Sequence, residues 1–158
     1  MVNNGLIFIP YNTPSLKNSK IKTSKGIFSS KTVKKYLSLL GIQRYSSSKK
    51  EVVGYKTKPN HIESLRGQFM KALENKGEPI LLSFHFVRDT KRLFDFGNAT
   101  ELIFDLLTAH DIISDDNVSI VLPSVMTIDG ILPNEDNIRE LEWYSVNKEQ
   151  PGVYLKIS

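Results

Sequence analysis

The sequence predicts a single α+β domain, a mixed α/β chain in which a mixed or mainly antiparallel sheet packs against two or three helices. Three observations carry that expectation. A chain of 158 residues is long enough to bury one core without disulfides or a structural metal. Apolar residues recur at helical spacing in some segments and alternate in others. Strand-like and helix-like segments also interleave along the chain instead of forming one block of each.

Gly5 to Ile9 reads as a first strand, ended by Pro10 and the Asn12-Thr13-Pro14 run. Ser15 to Phe28 is a polar, lysine-rich loop or hairpin with Gly26 near its tip. Val33, Tyr36, Leu37 and Leu40 then follow helical spacing after Ser29 or Ser30, and Gly41 suits the residue just past the helix end. Tyr45 to Pro59 has no apolar periodicity, so a mobile basic loop is expected near 45–60. From His61 to Lys76 the set Ile62, Leu65, Phe69, Ala72 and Leu73 marks a helix, stopped by Gly77 and Pro79. Ile80 to Val87 alternates Leu82, Phe84 and Phe86 with Ser83 and His85, the period of a half-buried strand. Ala99 to Ala109 forms a second helix whose polar stripe is Asn98, Glu101, Asp105 and Thr108. Val118 to Leu122 and Val153 to Ile157 read as strands, with a hairpin about Asp129-Gly130 between them.

Composition narrows the class further. With 40% apolar and 24% charged residues, the chain falls outside the disordered, collagenous and membrane classes. It has no cysteine, so thiolate metal sites and cysteine nucleophiles are excluded, and a reducing cytoplasm suits it. The first apolar stretch, Leu6 to Ile9, is too short for a signal peptide or a membrane span.

The net charge of +4 divides unevenly. Residues 1–60 carry twelve Lys or Arg against Glu51 alone, a net +11, and residues 61–158 carry a net −7. A basic segment joined to an acidic one is what a protein needs if one surface holds phosphates while another gathers carboxylates around a cation. A solvated basic loop explains the first half equally well. The candidate phosphate contacts are Lys17, Lys20, Lys22 and Lys25 in one loop and Lys31, Lys34 and Lys35 on the next helix.

The acidic residues of greatest interest are Asp95, Glu101 and Asp105, followed by Asp115-Asp116-Asn117. A strand, helix and returning strand are expected to gather Asp95, Asp105, Asp115 and Asp116 at one site, where like charges require a cation. Oxygen ligands without cysteine or clustered histidine point to Mg²⁺ or Mn²⁺. Structural readings compete with this. Asn98 and Glu101 fit a helix-capping pair, Asp115-Asp116-Asn117 fits a polar turn, and Asp105 fits a solvated helix face.

The pattern Phe94-Asp95-x-x-Asn98, then Asp105-Leu-Leu, then Ser114-Asp115-Asp116-Asn117, resembles the acidic core of RusA-type Holliday junction resolvases. Looser agreement runs through Pro14-Ser15-Leu16-Lys17-Asn18, the Ser30 to Tyr36 segment and Pro151-Gly152-Val153. The resemblance implies a RusA-like fold and a homodimer that cuts four-way DNA junctions with Mg²⁺. It assigns metal binding to Asp95 and Asp116; beside them Asp115, as a further candidate metal ligand, Asp105 and Glu101 are expected to assist catalysis directly or through water. Two departures stand out: Gly97 replaces a second family aspartate, and Glu101 replaces a lysine. Glu101 lies one helical turn from Gly97 and can deliver a carboxylate to the same face. The alternative is a junction- or duplex-binding protein whose cleavage was lost or weakened with that aspartate. His61, His85 and His110 lack metal-ligand spacing, and Trp143 and Tyr144 read as core or dimer contacts.

Overall fold

A computed structural model of the chain describes residues 5–15, 20–23, 26–29, 31–46, 51–54, 59–115 and 117–158. Its centre is a mixed five-stranded sheet. Strand β1 (Ile7–Pro10) pairs antiparallel with β9 (Gly152–Ile157), and β9 pairs antiparallel with β6 (Ile80–Arg88). On the other side of β6 lie two strands parallel to it, β7 (Val121–Val125) along its first half and β8 (Tyr144–Val146) along its last residues. Helices α1 (Lys31–Leu39), α2 (His61–Ser64), α3 (Arg66–Leu73) and α4 (Phe96–Ala109) supply much of the rest of the core. The fold is α+β, as the interleaved periodicities predict. Two antiparallel pairs stand beside the main sheet: β2 (Lys20–Thr23) with β3 (Gly26–Ser29), and β4 (Ile42–Ser46) with β5 (Glu51–Gly54).

Strand β6 explains why the sheet forms around it. Leu82, Phe84 and Phe86 are fully buried, and the two phenylalanines meet Phe96 and Phe104 of α4 edge to face. The expected half-buried strand is instead covered on both faces, because Ser83 and His85 are buried as well. Strands with neighbours on both sides lose their polar face when a further layer covers it. Here the covering layer begins with Met126, whose carbonyl His85 Nδ1 meets at 3.0 Å.

Helix α1 is amphipathic as expected: Val33, Tyr36 and Leu37 are buried, Leu40 follows them into the core, and Lys31, Lys34 and Lys35 face solvent. Gly41 ends it at φ +81°, a conformation that glycine adopts without strain. The helix expected over 61–76 is two pieces. Asn60 Oδ1 caps α2 through the Glu63 N–H at 2.8 Å, and Ser64 Oγ donates back to the His61 carbonyl. That back-bond and the tightened Leu65 N–H to Ile62 O contact break the ladder before α3. Asn75 at φ +60° then closes the segment ahead of Gly77.

Three other expectations shift. The strand over 118–122 begins only at Val121, because the Asn117 carbonyl accepts from Ile120 and Val121 N–H and its side chain accepts from Ser119 N–H, folding 117–120 into a turn. The hairpin about Asp129-Gly130 is a tight turn without strands, closed by Thr127 N–H to Ile131 O with Gly130 at φ +83°. Residues 45, 46 and 51–54 belong to β4 and β5, where a loop was expected; residues 47–50 and 55–58 lie outside the described residues.

One packing detail sets a stability prediction. A Cβ at Gly152 would lie 2.4 Å from Phe8 Cζ and 2.5 Å from the Ile9 carbonyl oxygen. The backbone of β1 leaves no space for it. Gly152→Ala is therefore expected to cost about 2–3 kcal/mol, lowering Tm by roughly 5–10 °C in a thermal melt. An unchanged Tm would mean that β1 and β9 are not held at this spacing.

Candidate functional site

The chain leaves β6 at Arg88, crosses a seven-residue loop and enters α4 at Asp95. Asp95 is the N-cap: its backbone is extended and its Oδ1 accepts from Asn98 N–H at 3.0 Å. The helix thus starts earlier than expected, and Asp95 does the capping that the sequence assigned to Asn98 and Glu101. Aspartate suits this place because its carboxylate satisfies an orphan amide and meets the positive end of the helix dipole. Its side chain is exposed, and one oxygen serves the cap. Asn98 Nδ2 is buried without a hydrogen-bond partner. Next to Asp95 the helix carries Gly97, where an ideal Cβ would come 3.2 Å from Asp95 Oδ1. A side chain at position 97 would therefore share space with the Asp95 carboxylate.

The remaining candidates are spread along α4. Glu101 is exposed one turn after Gly97, and Asp105 is half-buried one turn further. Asp115 is exposed in the turn beyond the helix, where its Oδ2 accepts from Asn117 Nδ2 at 3.1 Å. Asp116, Lys17 and Lys25 lie outside the described residues. Lys20 and Lys22 belong to β2, and Lys31, Lys34 and Lys35 to the exposed face of α1.

The expectation that one chain gathers Asp95 with Asp115 is corrected by the topology. Strands β6 and β7 are parallel, so the connection must travel back along the sheet, and α4 provides that return. Asp95 sits beyond the end of β6, whereas Asp115 precedes β7, whose start pairs with the start of β6. The fourteen residues of α4 span about 21 Å at 1.5 Å per residue. Among the described residues no group of three or more acidic or histidine side chains is placed to hold a metal ion. In one chain, then, Asp95 and Asp115 stand at opposite ends of the helix. Antiparallel strands, joined end to end, would have kept them close.

Charge and aromatic surface gather instead around Asp95. Arg88 is buried, donates to the Thr13 carbonyl and holds its guanidinium 4.4 Å over the Phe94 ring. Burial pulls its guanidinium below the ordinary arginine range, with Asp89 opposing the shift. Phe94 also meets Trp143 and Tyr144 at 5.5 and 5.6 Å. Lys91, Arg92 and Leu93 project from the loop as exposed side chains. The sequence alone assigns Lys91, Arg92 and Leu93 no role; their signal is a basic pair and a leucine two residues before Asp95.

Comparison with known proteins supplies no family: no family model, no curated protein and no solved structure matches the chain. The functional reading therefore rests on the residues, their geometry and the resemblance of the acidic pattern. Two histidines are accounted for by the core. His85 Nε2 lies 2.9 Å from Ser145 Oγ, and burial pushes its imidazole below the ordinary range. His110 Nδ1 donates to the Leu106 carbonyl at 2.6 Å, Asn60 Nδ2 donates to its Nε2 at 3.1 Å, and burial again lowers its pKa. Both act as neutral hydrogen-bonding groups inside the fold. No helix among the described residues is long and apolar enough to cross a membrane.

Proposed function

We propose that the chain is a structure-selective endodeoxyribonuclease that resolves four-way (Holliday) DNA junctions by divalent-metal-dependent phosphodiester hydrolysis, in recombination or repair, as a cytoplasmic homodimer. The observation that supports this most is the placement of Asp95: an exposed carboxylate on the N-terminus of α4, preceded by exposed Lys91 and Arg92. Phosphate oxygens are drawn to such a helix end by its free amides and dipole. The exposed lysines of α1 add a surface that attracts phosphate without reading bases.

Two copies reconcile the acidic pattern with the fold. A two-fold axis that sets the Asp95 end of one chain against the Asp115 end of the other makes two equal sites from one contact. Asp95 of one copy with Asp115 and Asp116 of the other would hold Mg²⁺ or Mn²⁺, the carboxylate donors such hard ions prefer. When bound, such an ion activates a water and neutralises charge on the scissile phosphate. Asp95 keeps its oxygen oriented through the Asn98 N–H, and Glu101 stands one turn from Gly97 to supply a further carboxylate. Two sites related by a two-fold axis suit paired nicks in opposed strands.

A second reading is favoured by Gly97 itself: a protein that binds junctions or duplex DNA with cleavage lost or weakened. One experiment separates the two. A labelled four-way junction is incubated with purified protein in Mg²⁺ or in EDTA. The nuclease reading expects nicks only with the metal, reduced about 100-fold or more in Asp95→Asn. Junction binding in EDTA with no nicks in Mg²⁺ or Mn²⁺ would select the second reading. Equal affinity for junction and linear duplex, with no nicks, would overturn the resolvase reading and leave a duplex-binding protein.

A further inference from the structure

Segment 139–146, with Lys91 from the loop before α4, borders a groove of about 820 Å³. Its size falls in the ~300–1,000 Å³ range of small-ligand sites. Lys91 and Arg139 line it together with Glu140, Glu142, Trp143 and Tyr144. Tyr144 packs edge-on against Phe94 and Trp143 at 5.6 and 5.0 Å yet remains 36% exposed. Arg88 stacks over the Phe94 ring of that cluster. At the groove's loop stands Leu93, 86% exposed, the most exposed large apolar side chain among the described residues.

A lone exposed leucine is ordinary on a protein surface. Leu93 is set apart by its company: Arg92 precedes it, Asp95 follows two residues later, and Lys91 of the same loop lines an aromatic groove. Apolar side chains flanked by cations are the means by which proteins open a base step while holding its phosphates.

We propose that this groove takes an unstacked nucleotide at the branch point of junction DNA, with Leu93 as the wedge, Tyr144 as the stacking face, and Lys91 and Arg139 as contacts to the flanking phosphates. The proposal rests on the nucleic-acid reading above and adds the element that selects branched over linear DNA. Unstacking costs least where stacking is already interrupted, so a wedge favours a branch over a continuous duplex. Stacking on tyrosine tolerates any base, which fits recognition by shape. The mixed charge of the groove is consistent with one nucleotide rather than a duplex backbone. Two cations face phosphate, while Glu140 and Glu142 can accept from the exocyclic amino groups of a base edge.

The test measures binding in EDTA, where no cleavage occurs, to a four-way junction carrying 2-aminopurine either at the branch or within an arm. Wild-type protein is expected to change the emission of the branch probe and leave the arm probe unaltered. Leu93→Ser and Tyr144→Ala are each expected to weaken junction binding about tenfold and abolish the branch signal, with linear duplex binding within about twofold of wild type. Tyr144→Phe, which keeps the stacking ring, should retain both. Folded variants with unchanged junction affinity and branch emission overturn the proposal while leaving the nuclease reading intact. A shift of oligomeric state in Leu93→Ser or Tyr144→Ala also overturns it, by assigning the face to a second copy of the chain. Absence of any DNA binding by the wild type removes both readings together.

Discussion

Mixing Asp95→Asn subunits with Asp116→Asn subunits is expected to restore junction cleavage that neither variant performs alone. The expectation follows from the parallel pairing of β6 and β7, which sends α4 the length of the sheet between Asp95 and Asp115. If each site takes Asp95 from one copy and the Asp115-Asp116 pair from its partner, a mixed dimer holds one site with both substitutions and one with neither. Random assortment of equal amounts makes half of the dimers mixed, so about a quarter of wild-type sites should reappear. Asparagine at position 95 still accepts the Asn98 N–H, so the helix cap survives and the variant should fold. Co-expression of the two chains under different affinity tags, followed by tandem purification, isolates the mixed dimer. Single nicks from that species, with none from either homodimer, are the result expected. If all ligands instead came from one chain, every subunit in the mixture would be defective and cleavage would stay absent. A monomer in solution would also sink the shared site.

How much of this was legible in the sequence depends on whether the deciding interaction is local. Helix α1 could be read residue by residue, since Val33, Tyr36 and Leu37 bury one face and the lysines leave it. The last strand, β9, was equally plain, because its burial follows its own alternation. The break between α2 and α3 was hidden, for it turns on Ser64 bonding back to His61, a choice that apolar spacing does not record. The start of β7 was displaced because Asn117 gathers three backbone amides into a turn. His85 defeated the alternation rule for a nonlocal reason: its partners, Met126 and Ser145, arrive from far along the chain.

The candidate site divides in the same way. The acidic residues and their order could be read directly, and so could the capping chemistry near the start of α4, although Asp95 rather than Asn98 performs it. Their separation could not, because whether a returning strand is parallel or antiparallel is a property of sheet order. That single difference moves Asp115 from beside Asp95 to the far end of a helix about 21 Å long. The Arg88, Phe94 and Tyr144 cluster was likewise invisible, since β8 reaches β6 only after a long irregular segment.

Gly97→Asp is expected to strengthen divalent-metal binding by about tenfold or more and to raise junction cleavage at limiting Mg²⁺. Position 97 holds glycine where the resembled family carries an aspartate, and the space beside Asp95 is tight but present. A Cβ at residue 97 would stand 3.2 Å from Asp95 Oδ1, which requires the Asp95 carboxylate to give by a few tenths of an ångström. Two carboxylates that close repel each other, and a cation shared between them converts the repulsion into binding. Loss of an outer-shell partner alone commonly weakens a metal site by ~10–100-fold, so a new direct ligand should act at least as strongly. The first turn of a helix also favours aspartate over glycine, which offsets part of the repulsion in the metal-free protein. Two measurements check the prediction independently: the Mg²⁺ concentration that half-saturates cleavage, and the rise in Tm on adding Mg²⁺ or Mn²⁺. The variant should show a lower half-saturating concentration and a larger metal-dependent rise than wild type. A metal-dependent rise no greater than that of wild type, in a variant that folds, would mean that no cation sits against the N-terminus of α4. The acidic pattern would then serve only as helix cap and polar turn.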